Sequence, residues 1–313
     1  MNTDDMLIAY SDNAIELVDS FERKLIDSFQ VTSLFKIEHH IGMHVLYDKQ
    51  KGLLNLDAQR HVYGFINHMG LDPNSNVGIS TPLDQQEVYS KVDSPPEIDI
   101  KLRDKVWQAH GKLIHLATWV RPDLVHSVSV LGRYVHNPSE KLWNAYSRIA
   151  KYLVKTRDFK LAFRTPDIEL MDLDFYGHSD SYCGGSIDDR KSIGAYIFLL
   201  LGAAISWKVK LSQTACLSSQ EAEYCALSEA TKEALNLRML MQQLGFRSMK
   251  PTTIFCDNKG AITMSLHPLN KPATRHIDMK NHFCRQHVEL DNVTTPTKDE
   301  RVPNAITILF LQE

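Results

Sequence analysis

The chain has 313 residues, of which 43% are hydrophobic and 23% are charged, the proportions of an ordinary soluble globular protein. Its formal net charge of −3 argues against nucleic-acid binding through overall charge, so such binding requires local basic patches. Five widely spaced cysteines without a Cys-x-x-Cys pair favour reduced, mostly buried thiols in a cytoplasmic or nuclear protein. With no apolar run near the ~18 residues of a membrane span and no secretory signal, we expect no membrane segment.

The first part of the chain predicts a mixture of strands and helices. A strand is predicted over 6–10, a helix over 13–29, a hairpin with strands in 37–46 and 53–56, and a helix over 59–69. The polar residues 84–99 contain Pro95-Pro96, which continues neither a helix nor a strand, and this predicts a linker. Residues 101–165 are predicted to be largely helical, with helices over 105–118, 122–134 and 139–156.

From residue 172 onward, the pattern predicts three strands, a helix, a fourth strand and two further helices. Residues 193–200 and 203–208 are predicted to pair as a hairpin across Leu201-Gly202. The Ser218-x-x-Glu221 pattern is a capping box that predicts the start of a long helix, which ends near Gly245. The last two helices are predicted over 258–266 and 275–289.

Three acidic residues stand where this pattern would bring them to one end of a sheet. Asp180 follows a short alternating run, Glu223 lies in the first turns of the long helix, and Asp257 ends the fourth strand. Clustered carboxylates hold hard divalent cations, and two such ions about 4 Å apart clamp a phosphodiester and activate water against it. Each residue also has a structural explanation: a turn cap, a charge beside a helix N-terminus, or a helix cap.

The residues around these acids carry a family resemblance. The motifs are Ser179-Asp180, Asp189-Arg190-Lys191-Ser192, Ile205-Ser206-Trp207-Lys208, the run 217–227 around Glu223, and Cys256-Asp257-Asn258. Together they resemble the RNase H domain of copia-type retrotransposon Pol polyproteins. Upstream, Asp4-Asp5, Ile41-Gly42-Met43 and Arg121-Pro122-Asp123-Leu124 resemble the end of the reverse transcriptase in the same polyproteins.

This resemblance implies an α/β fold with a mixed five-stranded RNase H-like sheet and flanking helices. A truncated reverse-transcriptase palm remnant and a helical connection segment would precede it. The implied domains are a palm or thumb remnant (1–83), a linker and connection segment (84–165), an RNase H-like domain (166–300) and a divergent tail (301–313).

The function that the resemblance implies is divalent-metal-dependent endonucleolytic cleavage of RNA in RNA–DNA hybrids. Asp180, Glu223 and Asp257 would be catalytic and would hold Mg²⁺ or Mn²⁺. The hybrid would be the partner, with no small-molecule substrate and no membrane. Phosphate contacts would come from basic residues, for which a solvated charged face is the alternative: Arg190, Lys191, Lys208, Lys271 and Arg275.

Two departures from the family pattern predict lost activity. The chain begins at the aspartate pair Asp4 and Asp5 without the rest of the polymerase palm, so we expect no polymerase activity. Pro303 stands about where the family carries a fourth catalytic aspartate, and we do not expect Asp278 or Asp299 to replace it. Weak or absent cleavage is therefore expected. Two alternatives remain open: a non-catalytic module that binds nucleic acid or a protein, and a gene remnant without function.

Overall fold

A computed structural model describes most of the chain. The described residues are 6–8, 10, 12–29, 31–33, 37–84, 86–165, 175–212, 215–246, 250–267 and 283–296. The helices are α1 (Ile15–Ser28), α2 (Gln59–His68), α3 (Ile100–Trp119), α4 (Val125–Leu131), α5 (Glu140–Lys155), α6 (Ser219–Gln243), α7 (Lys259–Leu266) and α8 (Phe283–Glu289). The strands are β1 (His39–His40), β2 (Met43–Asp48), β3 (Leu53–Asp57), β4 (Leu161–Arg164), β5 (Tyr176–Tyr182), β6 (Ile193–Leu200), β7 (Ala203–Leu211), β8 (Thr252–Phe255) and β9 (Val293–Thr294).

The first sheet has four antiparallel strands in the order β1-β2-β3-β4. The predicted hairpin is confirmed, because β2 and β3 pair antiparallel. The turn between them requires a left-handed backbone, which Gly52 adopts with a φ of 56°. Strand β4 was not predicted, since residues 101–165 were expected to be largely helical. It pairs with β3, so a strand from the predicted connection segment completes a sheet that begins in residues 1–83.

Helices α2, α3, α4 and α5 form one core beside this sheet. Phe65 and Ile66 of α2 are fully buried against Leu113 of α3 and Ile149 of α5. Apolar residues recur at helical spacing in each of these helices, which places them on the faces that meet. The ranges 1–83 and 84–165 therefore contribute to a single hydrophobic core.

A buried ion pair fixes the turn between α3 and α4. Arg121 and Asp123 are almost inaccessible, and their side chains lie 2.6 Å apart. Arg121 also donates to the backbone carbonyl and the hydroxyl of Thr156, at 3.1 and 2.7 Å, while the Tyr152 hydroxyl donates to Asp123 at 2.7 Å. These bonds attach the turn to the C-terminal end of α5.

The second sheet has five strands in the order β7-β6-β5-β8-β9 and is mixed, as predicted. Strands β5, β6 and β7 are antiparallel, whereas β8 is parallel to both β5 and β9. Helix α6 covers one face, where Gly194 of β6 approaches Ala226 closely and Gly177 of β5 leaves room for the Phe198 ring. The parallel pair β5 and β8 brings the C-terminal ends of both strands to one edge.

The second sheet packs on α4 and β4 through the face that lies opposite α6. Its buried residues, including Ile197, contact Val125 of α4 and Leu161 of β4. The indole N–H of Trp207 donates to the Ala117 carbonyl at 2.7 Å, and the backbone N–H of Arg164 donates to the Leu201 carbonyl at 3.1 Å. Trp207 therefore anchors β7 to α3.

A second connection uses Asp188, in the loop between β5 and β6. Its carboxylate accepts hydrogen bonds from the Ser90 hydroxyl at 2.7 Å, from the Lys91 backbone N–H at 3.0 Å and from the Tyr134 hydroxyl at 3.1 Å. The predicted linker 84–99 thus contacts the loop that follows β5.

The helix start predicted from the capping box is confirmed, because the Ser218 hydroxyl accepts a backbone hydrogen bond as the N-cap of α6. Ser139 and Asn258 cap α5 and α7 in the same way. In a strict capping box, the Glu221 side chain would accept from the backbone N–H of Ser218. Here it accepts from the backbone N–H of Leu217, one residue earlier, at 2.7 Å. None of the helices in the described part of the chain combines the length and the apolar character needed to cross a bilayer.

Other predictions are wrong. The described residues of 6–10 form no strand and are exposed, since no neighbouring strand pairs with them. Helix α3 begins at Ile100, five residues before the predicted start, because Asp99 caps it. Only Cys256 and Cys284 are buried among the five thiols, which were expected to be mostly buried. The predicted helix over 275–289 is described only from Phe283 onward.

Candidate metal centre

Asp180, Glu223 and Asp257 are carried by three separate elements that meet at one edge of the second sheet. Asp180 is the fifth residue of β5, Glu223 lies in the second turn of α6, and Asp257 lies two residues after the end of β8. Strands β5 and β8 are parallel neighbours, so the C-terminal ends of both face the same edge. Ser218 starts α6 at the position that sets Glu223 beside this edge.

The backbone of β5 joins Asp180 to Glu223. The Ser181 backbone N–H lies 2.7 Å from Asp180 Oδ1 and 3.0 Å from Glu223 Oε1. The Ser181 hydroxyl donates a further hydrogen bond to the same Glu223 oxygen, at 2.9 Å. One oxygen of Asp180 and one of Glu223 therefore lie within 3.0 Å of the Ser181 nitrogen. This arrangement holds two carboxylates, groups of like charge, close together.

Glu223 is the most buried of the three acids, with 6% of its surface exposed. Burial, followed by the negative charge of Asp180, raises its pKa from the ordinary 4.5 to about 8, and Asp257 adds to this effect. Its second oxygen, Oε2, is buried and has no hydrogen-bond partner among the described residues. A bound cation would supply the missing partner and remove the repulsion between the carboxylates.

Asp257 and the preceding Cys256 complete the cluster. One ligand atom each from Glu223, Cys256 and Asp257 lie within 4.8 Å of one another, a spacing compatible with contact to a common ion. Burial, aided by the charges of the acids, raises the pKa of the Cys256 thiol to about 12, so the thiol is neutral at pH 7. Hard divalent ions prefer oxygen ligands, so the residues that fit such an ion are the carboxylates.

Three of the five predicted basic residues lie in the described part of the chain. Arg190 is exposed at a left-handed φ of 55°, and Lys191 Nζ lies 3.5 Å from Asp189 Oδ2. Lys208 is exposed on β7, and its charge acts on Glu229 of α6. Lys271 and Arg275 lie outside the described residues, as do Asp4, Asp5, Asp278, Asp299 and Pro303.

Ser181 and Cys256 are the residues of this cluster that sequence reasoning did not single out. Both are neighbours in sequence of a predicted acid, and Cys256 stands inside a quoted motif. Their position next to a predicted acid was the sequence feature that could have indicated them. That position does not predict that Ser181 donates two hydrogen bonds to Glu223, because this contact depends on how α6 packs against β5.

No protein-family model matches the chain. The chain is 31% identical over 289 residues, 91% of its length, to the retrovirus-related Pol polyprotein from transposon TNT 1-94 of Nicotiana tabacum. It is 33% identical over 179 residues to the retrovirus-related Pol polyprotein from transposon RE2 of Arabidopsis thaliana. The chain is a relative of the copia-type retrotransposon Pol polyproteins.

This relationship confirms the family resemblance predicted from the motifs. The chain spans 21% of the tobacco Pol polyprotein and 12% of the Arabidopsis one. A further relative, secreted RxLR effector protein 161 of Plasmopara viticola, is 38% identical over 128 residues, which cover 41% of the chain and 87% of that protein.

The solved structures give a weak likeness. A crystal structure of LC11-RNase H1 in complex with RNA/DNA hybrid covers 42% of the chain and 90% of its own chain, at 12% identity and a TM-score of 0.31. A likeness at this TM-score is too weak to support the fold or the function.

Proposed function

We propose that the region around the second sheet is an RNase H-type domain, in which Asp180, Glu223 and Asp257 bind Mg²⁺ or Mn²⁺. Its substrate would be an RNA–DNA hybrid, and its reaction the endonucleolytic cleavage of the RNA strand. The observation that carries the proposal is Glu223, whose buried Oε2 has no hydrogen-bond partner among the described residues. Its carboxylate lies close to Asp257 and shares the Ser181 N–H with Asp180.

The residues of the chain have distinct roles in this proposal. Ser181 orients Glu223 Oε1 through two hydrogen bonds, which leaves Oε2 for a ligand. Asp180, held beside Glu223 by the Ser181 backbone N–H, would contribute a further carboxylate to the metal ligands. When bound, divalent ions at such a site activate a water and stabilise the leaving 3′ oxygen. The 2′-hydroxyl of RNA would distinguish the hybrid from DNA duplex.

We further propose that cleavage is impaired by the missing fourth carboxylate. Three ligands suffice for weak metal binding, whereas the leaving group is then poorly stabilised. Removing one hydrogen-bond donor from an oxyanion hole costs about 10²–10³ in kcat, and we expect a loss of similar order here. The absence of polymerase activity also stays a prediction, which a primer-extension assay with the purified chain tests.

The experiment measures cleavage of a labelled RNA–DNA hybrid by the purified chain, together with the rise of its melting temperature in Mn²⁺. We expect a small Mn²⁺-dependent rise that Asp180→Asn and Glu223→Gln abolish, and slow cleavage that both variants lose. Asp104→Asn, an exposed acid of α3, is the matched control and should behave as the parent. A parent whose melting temperature ignores divalent ions contradicts the metal site.

Two other outcomes separate the parts of the proposal. Fast, metal-dependent cleavage lost in Asp180→Asn supports the site and contradicts the impairment. Hybrid binding without any cleavage supports the alternative of a non-catalytic nucleic-acid-binding module.

A further inference from the structure

Two partly accessible thiols, those of Cys216 and Cys225, are hydrogen-bonded to each other at the start of α6. Cys216 lies two residues before Ser218, the N-cap of this helix, and Cys225 lies in its second turn. The chain that enters α6 therefore runs back along the first turns of the helix and brings the two sulfur atoms together. Two thiols in contact can be oxidised to a disulfide within one chain.

Two serines at the end of the second sheet hold Cys216 in this position. Its thiol is hydrogen-bonded to the hydroxyls of both Ser192 and Ser212. The two serines are fixed opposite each other, because the Ser212 backbone N–H donates to the Ser192 carbonyl at 2.8 Å. The position of Cys216 is thus set by the ends of β6 and β7 as well as by α6.

The packing of α6 on β6 independently supports the contact between the thiols. A Cβ atom at Gly194 would lie 3.3 Å from the Ala226 Cβ atom, so the backbones of the strand and the helix approach closely here. Ser192 stands two residues before Gly194, and Cys225 is the neighbour of Ala226 in the sequence. The start of β6 and the second turn of α6 therefore converge on the place that Cys216 occupies.

Cys216 has the surroundings of a reactive thiol. The hydrogen bond from Cys225 and those from the serine hydroxyls hold the pKa of Cys216 below its ordinary value of 9.0, although burial and the charge of Glu221 oppose this effect. The thiolate is the nucleophilic form of cysteine, and Cys216 is partly accessible to solvent. Cys256 and Cys284 are buried instead, and burial raises the pKa of both thiols. We therefore expect Cys216 to react faster than these two.

We propose that Cys216 and Cys225 form a reversible disulfide by exchange with a low-molecular-weight disulfide, for which oxidised glutathione is the probe. The Cys216 thiolate attacks one sulfur of the reagent, whose S–S bond breaks, so that a mixed disulfide forms and one glutathione thiolate leaves. The Cys225 sulfur then attacks the Cys216 sulfur and its proton passes to the second departing glutathione. Two protein thiols are thereby oxidised, while one glutathione disulfide is reduced to two thiols.

This disulfide would close a loop that contains the N-cap of α6. Ser218 and Glu221, whose side chains accept the hydrogen bonds that begin the helix, lie between the two cysteines. Oxidation would therefore fix the start of the helix that carries Glu223, without involving that carboxylate. The inference does not rest on the proposed function, because thiol exchange requires neither a metal ion nor a nucleic acid.

The experiment incubates the full chain, with EDTA present, in glutathione buffers of increasing oxidised-to-reduced ratio and then alkylates the remaining free thiols. Peptide mass spectrometry identifies the linked cysteines. We expect a link between Cys216 and Cys225 that forms as the ratio rises and is lost on reduction. Cys183→Ser, which removes an exposed thiol after β5, is the matched control and should form the link at the same ratio as the parent.

Cys225→Ser tests the order of the two steps. This variant lacks the thiol that resolves the mixed disulfide, so glutathione should accumulate on Cys216 about tenfold above its level in the parent. In Cys216→Ser, the thiol that attacks first is missing, and glutathione on Cys225 should stay below that level.

Three results would overturn the proposal. The first is that Cys216 and Cys225 both remain free in the parent at a ratio that modifies the exposed Cys183. The second is a link from Cys216 to Cys183 in place of Cys225. The third is a folded Cys225→Ser variant that gains no glutathione on Cys216. The first two are measured on the parent chain, so they test the proposal even if a variant does not fold.

Discussion

At the scale of single residues, Glu223 links stability to pH. Its pKa is raised to about 8 in the folded chain, chiefly by burial and then by Asp180, against an ordinary 4.5. Such a group stabilises the folded state fully below about pH 4.5, and this contribution is lost as the pH rises through 8, because the buried carboxyl must then ionise.

We therefore expect the free energy of unfolding in EDTA to fall between pH 5 and 9, by on the order of a few kcal/mol. Glu223→Gln replaces the carboxyl group by an amide of the same shape that does not titrate. The free energy of unfolding of this variant should therefore depend less on pH. Denaturant unfolding at each pH measures it, with Glu289→Gln, an exposed acid at the end of α8, as the control. A variant as pH-sensitive as the parent would show that another group titrates.

Asp123 offers a second test at this scale. Asp123→Asn leaves the buried Arg121 without its counter-ion, and breaking a buried pair in this way costs about 3–5 kcal/mol. Asp104→Asn breaks a pair whose aspartate is 55% exposed, which is worth about 0–1 kcal/mol. Chemical denaturation of both variants gives the comparison. Similar midpoints for the two would contradict the role assigned to the Arg121 network.

At the scale of elements, close packing between β5 and β6 depends on Gly177. A Cβ atom at this position would lie 2.4 Å from the Phe198 ring, which is fully buried and cannot withdraw. We expect Gly177→Ala to destabilise the chain by about 1–3 kcal/mol through overpacking.

Gly64 provides the matched control for this prediction. It lies inside α2, and a Cβ atom there would meet no atom within 4 Å. Gly64→Ala should therefore stabilise the chain by about 0.5–1 kcal/mol, because alanine favours the helix and restricts the unfolded chain. Thermal unfolding of both variants should show shifts of opposite sign. Shifts of the same sign would mean that β5 and β6 can move apart.

Local sequence signals predicted much at this scale. Ser139, Ser218 and Asn258 mark helix starts because their side-chain oxygens satisfy free backbone N–H groups, a contact that needs only near neighbours. Strand β4 was missed because the strand it pairs with, β3, lies more than a hundred residues earlier. The positions of the acids at strand ends and at a helix start could be predicted, because these element ends are local features of the sequence. The contacts of Ser181 and Cys256 could not be predicted, because they depend on packing between segments that are distant in the sequence.

At the scale of the whole molecule, stability is distributed unevenly. Helix α1 buries none of its described side chains, and Met6 and Leu7 are more than 60% exposed. Helices α3 and α5 carry fully buried residues of the main core, among them Leu113 and Ile149. Amide protection follows burial, since local opening requires less free energy where few apolar contacts break.

We therefore expect amides of α1 to exchange within seconds to minutes, and those of α3, α5 and β6 at least a hundredfold more slowly. Hydrogen exchange followed by mass spectrometry measures both. Equally slow exchange in α1 and in β6 would show that α1 has a packing partner and would contradict the prediction.

One face of the second sheet packs on α4, and this matters when a fragment containing only the second sheet and its helices is produced. Val125 and Leu161 cover Ile197 and its buried neighbours, and Trp207 anchors to the Ala117 carbonyl. A fragment cut before β5 would lose this cover and expose a continuous apolar surface to solvent. Exposed surfaces of this kind promote self-association, so the isolated fragment is expected to aggregate, whereas co-expression with residues 37–165 should restore solubility.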